Sequence, residues 1–481
     1  MRTIVLCGIL ASSLAGCAGM DGLDKAPRAT LNTPTAIGAK ESAQSQWPSD
    51  RWWENYQDPA LNRLIERALA QSPDLRIAGA RLAQAAALAE QAGAQRWPKM
   101  DMDASGVRKR YAQQYDADAP LAGHHGTTLT LGAEIQYTFD FWGEQRAALR
   151  SALGETAARS AEVQAARVLL TSRLASAWFE LAQLIALREL AQEALTIRSH
   201  TLRIVERRTQ AGLATEVDRK QAQGDLPATE LEIFSLDEQI ALQRHALAAL
   251  AGLPVDALSD VMPSLSAVPD SEFPAAVPAA LIGHRPDVVA ARWRVEAAAQ
   301  EMEVAKAGFY PNISLSAFAG FARQGLSVGL SDWLTAGSRT YGVAPAITLP
   351  IFDAGRLRAR FKGSAAELDA AIETYNQTLL AAVRDVADQL VSLDALMPQS
   401  NAQAQTLAAR QAAFALARRQ YEAGLTDYLT VLNAQNALLG ERQQQLALKT
   451  RELVLGVELN RALGGGFDAA STTTNLAWKH Q

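Results

Sequence analysis

Few residues in this 481-residue chain stand at spacings that do chemistry. No glycine-rich loop leads into a lysine to cradle phosphate, and there is no nucleophile elbow or zinc-type His/Cys spacing. His124-His125 lies in a stretch that reads as an external loop, where such a pair serves more readily as a polar tip than as a metal site. Paired carboxylates occur, but no pocket can be placed around them. A formal net charge of −5 argues against a nucleic-acid partner. The expectation is a protein that is not an enzyme and holds no metal. Chemistry then rests on one thiol, Cys17, because the other cysteine, Cys7, lies in an apolar leader.

Cys17 is prepared by what precedes it. Arg2 carries positive charge, Ile4 to Leu14 form a short apolar run, and Leu14-Ala15-Gly16-Cys17 closes it. The run is shorter than the roughly 20 residues a spanning helix needs, so 1–16 reads as a signal peptide. Leu-Ala-Gly-Cys resembles a bacterial lipobox, in which cleavage leaves the cysteine at the new N-terminus to carry lipid. The implied covalent group is a diacylglycerol with an N-acyl chain on Cys17, and no other cofactor is expected. Ala18, rather than Asp, implies export to the outer membrane among bacterial lipoproteins. The alternative is an ordinary signal peptide that happens to contain a cysteine. Cleavage leaves no second cysteine for a disulfide, so stability must come from packing and assembly.

The elements that position the rest are written twice. Ala211-Gly212-Leu213 recurs as Ala423-Gly424-Leu425, about 212 positions on. Pro73-Asp74 returns as Pro286-Asp287, Trp97-Pro98 as Tyr310-Pro311, Arg146 as Arg356, and Gly252 as Gly464. An internal duplication follows: a lipid-anchored extended arm over 17–57, one repeat over 58–265, a second over 266–464, and a polar tail over 465–481. In each repeat a helix begins at a proline, Pro73 or Pro286, and stops at the aromatic-proline pair. Two strand-like segments come next, at about 99–108 and 127–140, then at about 312–322 and 339–350. Leu129, Leu131, Ala133, Ile135, Tyr137 and Phe139 alternate with polar or small residues, and Ile313, Leu315, Ala317, Ala319 and Phe321 alternate with Asn312, Ser314, Ser316, Phe318 and Gly320. Pro345 interrupts the last segment. Period two over about ten residues suits a tilted transmembrane strand; the alternative is a periplasmic sheet with one face buried. Lys109 to Gly126 and Gly325 to Ser338 are the expected external loops.

Each repeat continues as a helical hairpin, at about 144–252 and 355–464. The stretch from Gln145 to Gln210 contains no proline and would make a helix of about 100 Å at 1.5 Å per residue. Its copy contains Pro398, expected to kink or restart the helix, and Pro227 is expected to bend the first return helix. Gly212 and Gly424 suit the left-handed residue that ends a helix. Thr215 and Asp427 stand where N-caps are wanted, with Asp218 at the third helical position of the first copy. Outside the leader no apolar run is long enough for a spanning helix, so any crossing must use strands. Four strands cannot close a barrel, and open edges in lipid leave backbone groups unsatisfied. Either the sheet lies outside the membrane or several chains pool their strands.

Together these runs resemble the TolC-like outer-membrane efflux factors, and most of all their OprM-type lipoprotein branch. The resemblance covers almost the whole chain. It rests on the lipobox, Trp52-Trp53, Asp58-Pro59-Ala60-Leu61-Asn62, Ser72-Pro73-Asp74-Leu75, His284-Arg285-Pro286-Asp287, Phe309-Tyr310-Pro311, Leu349-Pro350-Ile351-Phe352-Asp353 and Tyr428 to Gln435. It implies an α+β membrane protein, a homotrimer in which three four-stranded sheets close a twelve-stranded transmembrane β-barrel. A long periplasmic α-helical barrel with a mixed α/β equatorial region would continue it. The implied role is the outer-membrane channel of a tripartite efflux pump that exports drugs or other toxic small molecules. Its implied partners are a periplasmic adaptor, an inner-membrane pump of the RND type and outer-membrane lipid. An outlet for type I protein secretion and a lipid-anchored helical scaffold that never spans the membrane are the alternatives.

The same resemblance carries gate residues over. Asp218 corresponds to an acidic position at the periplasmic constriction, and Tyr421 to a tyrosine that hydrogen-bonds across neighbouring helices. The arginine completing that lock in the family's namesake corresponds to Thr426, and the two aspartates ringing its aperture correspond to Thr430 and Asn433. Weaker cation selectivity and a looser constriction follow as expectations, since amides cannot supply the field of carboxylates. Ala211, Gly212, Leu213, Ala423, Gly424 and Leu425, at the two hairpin turns, are the implied adaptor contacts.

Overall fold

The computed structural model describes residues 29–33, 49–114, 121–265, 283–326, 328 and 333–467. The leader, Cys17, most of the arm, part of the link between repeats and the tail beyond 467 lie outside the described residues. The helices are α1 (Pro59–Gln71), α2 (Pro73–Ala94), α3 (Glu144–Gln210), α4 (Glu216–Ala251), α5 (Pro286–Ala307), α6 (Arg356–Glu422) and α7 (Tyr428–Ala462). The strands are β1 (Lys99–Arg110), β2 (His125–Phe139), β3 (Asn312–Gly325) and β4 (Arg339–Thr348). The chain divides into two compact units. The first is built mainly from Ala83–Ala158 and Ala291–Thr374, and the second from Asn32–Leu82, Arg159–Ala290 and the residues from Tyr375 on.

The first unit holds the sheet, a four-stranded antiparallel meander in the order β1-β2-β3-β4. Its register sorts the side chains, because residues directly opposite share a face and neighbours along a strand do not. Met100, Met102, Leu129, Leu131, Ile135, Leu315, Phe321, Val343 and Ile347 fall on one face. Asp101, Asp103, Thr130, Glu134, Gln136, Ser314, Ser316 and Thr348 fall on the other. Ser105 Oγ and Thr130 Oγ1, 2.6 Å apart, span two strands on the polar face. An apolar face toward lipid and a polar face toward water is what the wall of a transmembrane channel requires. Gly320 is opposite Gly132, and a Cβ there would overlap the Leu131 carbonyl oxygen, so only glycine lets β2 and β3 close at this point. Trp142 joins the exit of β2 to the entry of β3. Its ring stacks on Tyr310 with centroids 4.6 Å apart, and its Nε1 donates to the Pro311 carbonyl at 2.8 Å.

Asp140 and Asp353 then start the two long helices. Asp140 accepts from the Gln145 and Arg146 amides, and Asp353 from the Gly355 and Leu357 amides. α3 and α6 have 67 residues each. In the second unit the core gathers Trp52, Trp53, Tyr56 and Phe179 with the buried stripe of α1, Leu61, Leu64, Ile65 and Ala68. Asp58 caps α1 by accepting from the Ala60 and Leu61 amides, and its other oxygen takes the Trp178 Nε1 proton at 2.8 Å.

Three expectations need correction: a restart at Pro398, a break at Pro345 and the loop bounds. Pro398 does not restart α6, which runs through it, and α4 runs through Pro227 without a break. Each proline gives up one intrahelical hydrogen bond, and neither ends its helix. Pro345 does not interrupt β4, because an edge strand accommodates a residue without a donor. The expected loops are shorter, since Lys109 and Arg110 continue β1 and pair with Gly126 and His125 of β2. The sheet thus extends to Arg110, His125 and Gly325 at that end, and β4 stops at Thr348.

Candidate functional site

The hairpin turns are built alike from local sequence. In the first, the Leu213 amide donates to the Arg208 carbonyl at 2.7 Å and the Gly212 amide to Thr209 at 3.0 Å, with Gly212 at φ 70°. In the second, Leu425 donates to Gln420 at 2.8 Å and Gly424 to Tyr421 at 3.0 Å, with Gly424 at φ 79°. A Cβ resists this left-handed conformation, so glycine ends both helices. Leu213 and Leu425, expected as contacts, are exposed, as are Ala211, Gly212, Ala423 and Gly424.

The return helices are capped differently. Thr215 and Asp218 form a reciprocal box: the Asp218 amide donates to Thr215 Oγ1 at 3.1 Å, and Asp218 Oδ2 accepts from the Thr215 amide at 2.9 Å. Asp427 caps α7 alone, accepting from the Thr430 amide at 2.9 Å and the Thr430 hydroxyl at 2.6 Å. Those bonds hold the Asp427 carboxyl below its ordinary range.

Among the gate candidates, the structure therefore engages Asp218 and Thr430 in caps of their own helices. Thr426 is half-buried in the turn, and Asn433 is exposed on α7. Tyr421 is buried, yet its hydroxyl has no hydrogen-bond partner among the described residues. The Arg208 guanidinium instead lies over the Tyr421 ring, 4.7 Å from its centroid, and donates to the Tyr421 carbonyl at 2.6 Å. Burial raises the Tyr421 phenol; Arg208 opposes that shift and Asp218 adds to it.

The hydrogen bond across helices falls to a different tyrosine. Tyr428, at the first turn of α7, donates its hydroxyl to Asp225 Oδ2 of α4 at 3.0 Å. Burial, and then the Asp225 carboxylate, push its phenol well above the ordinary range. Arg198 of α3 reinforces the tie. It donates to the Asp225 carbonyl at 3.3 Å, to Thr229 Oγ1, and to Asn436 Oδ1 of α7 at 2.8 Å. Farther along, Arg442 of α7 holds both oxygens of Glu193 of α3 at 2.9 Å. Val205, Ala222, Ala417, Tyr421, Tyr428 and Val431 form the apolar cluster beneath these bonds. The two hairpins are thus clamped to each other next to their turns by a cation–π contact, a tyrosine–carboxylate bond and an arginine fork. Every one of these contacts joins a residue of one hairpin to a residue of the other. Tyr428 stands in a run already quoted, but Asp225, Arg198 and Arg208 carry no local signal.

Comparison with known proteins places the chain in a family. The family model described as "Outer membrane efflux protein" matches residues 64–253 and 277–465, one span per repeat. The chain is 30% identical over 487 residues to the multidrug resistance outer membrane protein MdtP of Escherichia coli O6:H1, covering 98% of each chain. It is 33% identical over 457 residues to the pyoverdine export outer membrane protein OpmQ of Pseudomonas putida, covering 93% of this chain and 94% of that one. Among solved structures, the outer membrane protein VceC of Vibrio cholerae superposes with a TM-score of 0.81 at 38% identity, over 88% of this chain and all of that one.

Proposed function

The chain belongs to the outer membrane efflux protein family and is an outer-membrane efflux channel component, and from that premise we propose how it is assembled, anchored and gated. Three copies pool their sheets into one twelve-stranded barrel. The observation that carries this reading is a sheet with one apolar face, one polar face and two unpaired edges, β1 and β4. Such a sheet satisfies its backbone in lipid only when another copy's β1 meets its β4. Cross-linking between cysteines introduced at Ser105 and Thr340, which share the polar face, tests it. A covalent ladder ending at three chains is expected, and a ladder ending at two or running past three counts against closure.

The helices work in the periplasm, where an adaptor meets the exposed turns at Leu213 and Leu425 and links the channel to an inner-membrane pump of the RND type. Small molecules are the cargo, in keeping with relatives named for multidrug resistance and pyoverdine export. Lipid on Cys17 holds the N-terminus at the membrane; Cys17→Ser is expected to abolish incorporation of labelled palmitate. The clamp between the hairpins is the gate. Closed, Tyr428–Asp225 and Arg208–Tyr421 hold α6 and α7 against α3 and α4; open, the second hairpin swings free of the first. Thr430 and Asn433 leave the aperture without carboxylates, so weak cation selectivity is expected in reversal potentials across a salt gradient. Asn433→Asp is expected to strengthen it, and strong selectivity that this change leaves unaltered would count against the assignment.

A further inference from the structure

The apolar face of the sheet ends in arginines. Arg108 is opposite Thr127, and Arg110 is opposite His125. Arg323 is opposite Leu129, and Arg339 is opposite Phe321, which is itself opposite Leu131. Following this register, all four arginines fall on the same face as Leu129, Leu131, Phe321 and Val343, which is the lipid-facing one. All four are exposed. Lys109 belongs to the polar face at the same end.

Their depth is set by the other end of the sheet. There the strands meet the helices, and Trp97, Phe139, Phe141, Trp142, Tyr310 and Phe352 gather with exposed rings, the belt expected at a membrane interface. From the row of Phe139 and Ile313 to the row of Leu129 and Arg323 is ten residues along each strand. At a rise of about 3.4 Å and a tilt of about 40°, that climb is about 25 Å, the height of the apolar band of an outer-membrane barrel. The arginines therefore stand where hydrocarbon gives way to the headgroups of the outer leaflet. Arg339 starts two residues deeper, and its long side chain can extend outward to the same level. Cations on a lipid-facing surface are costly unless an anion meets them, and the guanidinium fork matches phosphate oxygens in pairs.

We propose that Arg108, Arg110, Arg323 and Arg339 form a band that binds the phosphate groups of phosphorylated lipid in the outer leaflet, seating the barrel at its working depth. The inference rests on the membrane-spanning reading of the sheet. It is tested with the purified full-length channel in detergent, offered diphosphorylated lipid A or phosphatidylcholine in mixed micelles, with retained lipid counted by native mass spectrometry. Retention of lipid A over phosphatidylcholine is expected, with affinity falling about fivefold for each arginine replaced by glutamine. Lys109→Gln, on the opposite face, is expected to leave retention unchanged. Should the fourfold variant R108Q/R110Q/R323Q/R339Q not assemble, R108Q/R110Q alone is expected to lose about 25-fold. Equal retention by wild type and arginine variants, equal loss in K109Q, or equal retention of phosphatidylcholine each overturns the proposal. Conductance of the same preparations in planar bilayers separates the two levels. Channels that conduct but show no arginine-dependent lipid A sink only the band, whereas protein that conducts neither as wild type nor with the clamp released by Y428F and D225A sinks the spanning reading beneath it.

Discussion

Tyr428→Phe removes one oxygen from the clamp and leaves the ring in place. The apolar cluster of Tyr428 with Val431, Tyr421 and Val205 is thereby kept, so the change isolates the bond to Asp225. A hydrogen bond to a charged acceptor contributes about 1.5–3 kcal/mol. The lower figure applies, because the bond is only part-buried and water can take the place of the lost hydroxyl. About 1.5 kcal/mol is a little over tenfold in the equilibrium between clamped and released hairpins of one chain. If three chains open as one, the factors multiply to about a thousandfold, enough to turn a mostly closed pore into one open much of the time. The assay is single-channel recording in planar bilayers, with time-averaged conductance compared among wild type, Y428F, D225A and the double variant. Conductance is expected to rise in each single variant, and the double variant is expected to fall short of their combined effect by about 1–1.5 kcal/mol of coupling. A Y428F channel as closed as wild type, or strictly additive effects, would refute the clamp as the gate.

Other outcomes follow from the same geometry. The Tyr428 phenol is raised above its ordinary 10.0, so its contribution is complete below that value and is lost as pH rises past it toward the folded value. Conductance should therefore be insensitive to this bond between about pH 6 and 9. The Asp427 carboxyl is depressed below its ordinary 3.8, so its cap is present above that value and lost as pH falls through the folded one. Hydrogen exchange at the Thr430 amide should accelerate in that acid range in wild type but not in Asp427→Asn, which keeps an acceptor and cannot titrate. Arg285 is buried among Asp287, Asp385 and the Ala462 carbonyl, its guanidinium charge reinforced by the two carboxylates against the opposing effect of burial. Arg285→Ala should destabilise by about 3–5 kcal/mol in denaturant unfolding, with Arg285→Lys recovering part of it. Gly320→Val should block barrel formation, read as loss of the heat-resistant oligomer on gels. Gly132→Ala, whose Cβ meets the Ala319 carbonyl oxygen at an ordinary 3.6 Å, should be tolerated.

What could be read in advance was local. The strands announced themselves because every second residue from Leu129 to Phe139 must face lipid, and the turns because glycine at 212 and 424 and caps at 215 and 427 act within one helical turn. The strand ends were misjudged where Lys109, Arg110 and His125 look like loop residues, although backbone pairing continues through them. Pro398 was open to being read as a restart because a proline at a first helical turn and one inside a long helix look alike in sequence. The clamp was half legible. Tyr421 was expected to hydrogen-bond across helices, but its hydroxyl has no partner among the described residues and Tyr428 forms the bond. Nothing in sequence fixes which faces of two 67-residue helices meet. Arg208 and Asp225 acquire their partners only once that rotation is set.

The two free edges of the meander also bear on how the channel comes into being. A lone chain has nowhere to place the ladder groups of β1 and β4. Finishing the sheet and finding two companions are then one event, whose rate climbs steeply with the number of newly exported chains. Overproduction hastens that meeting, but it also multiplies strangers able to add to an open edge. Cells making this protein must therefore keep supply matched to the pace of insertion.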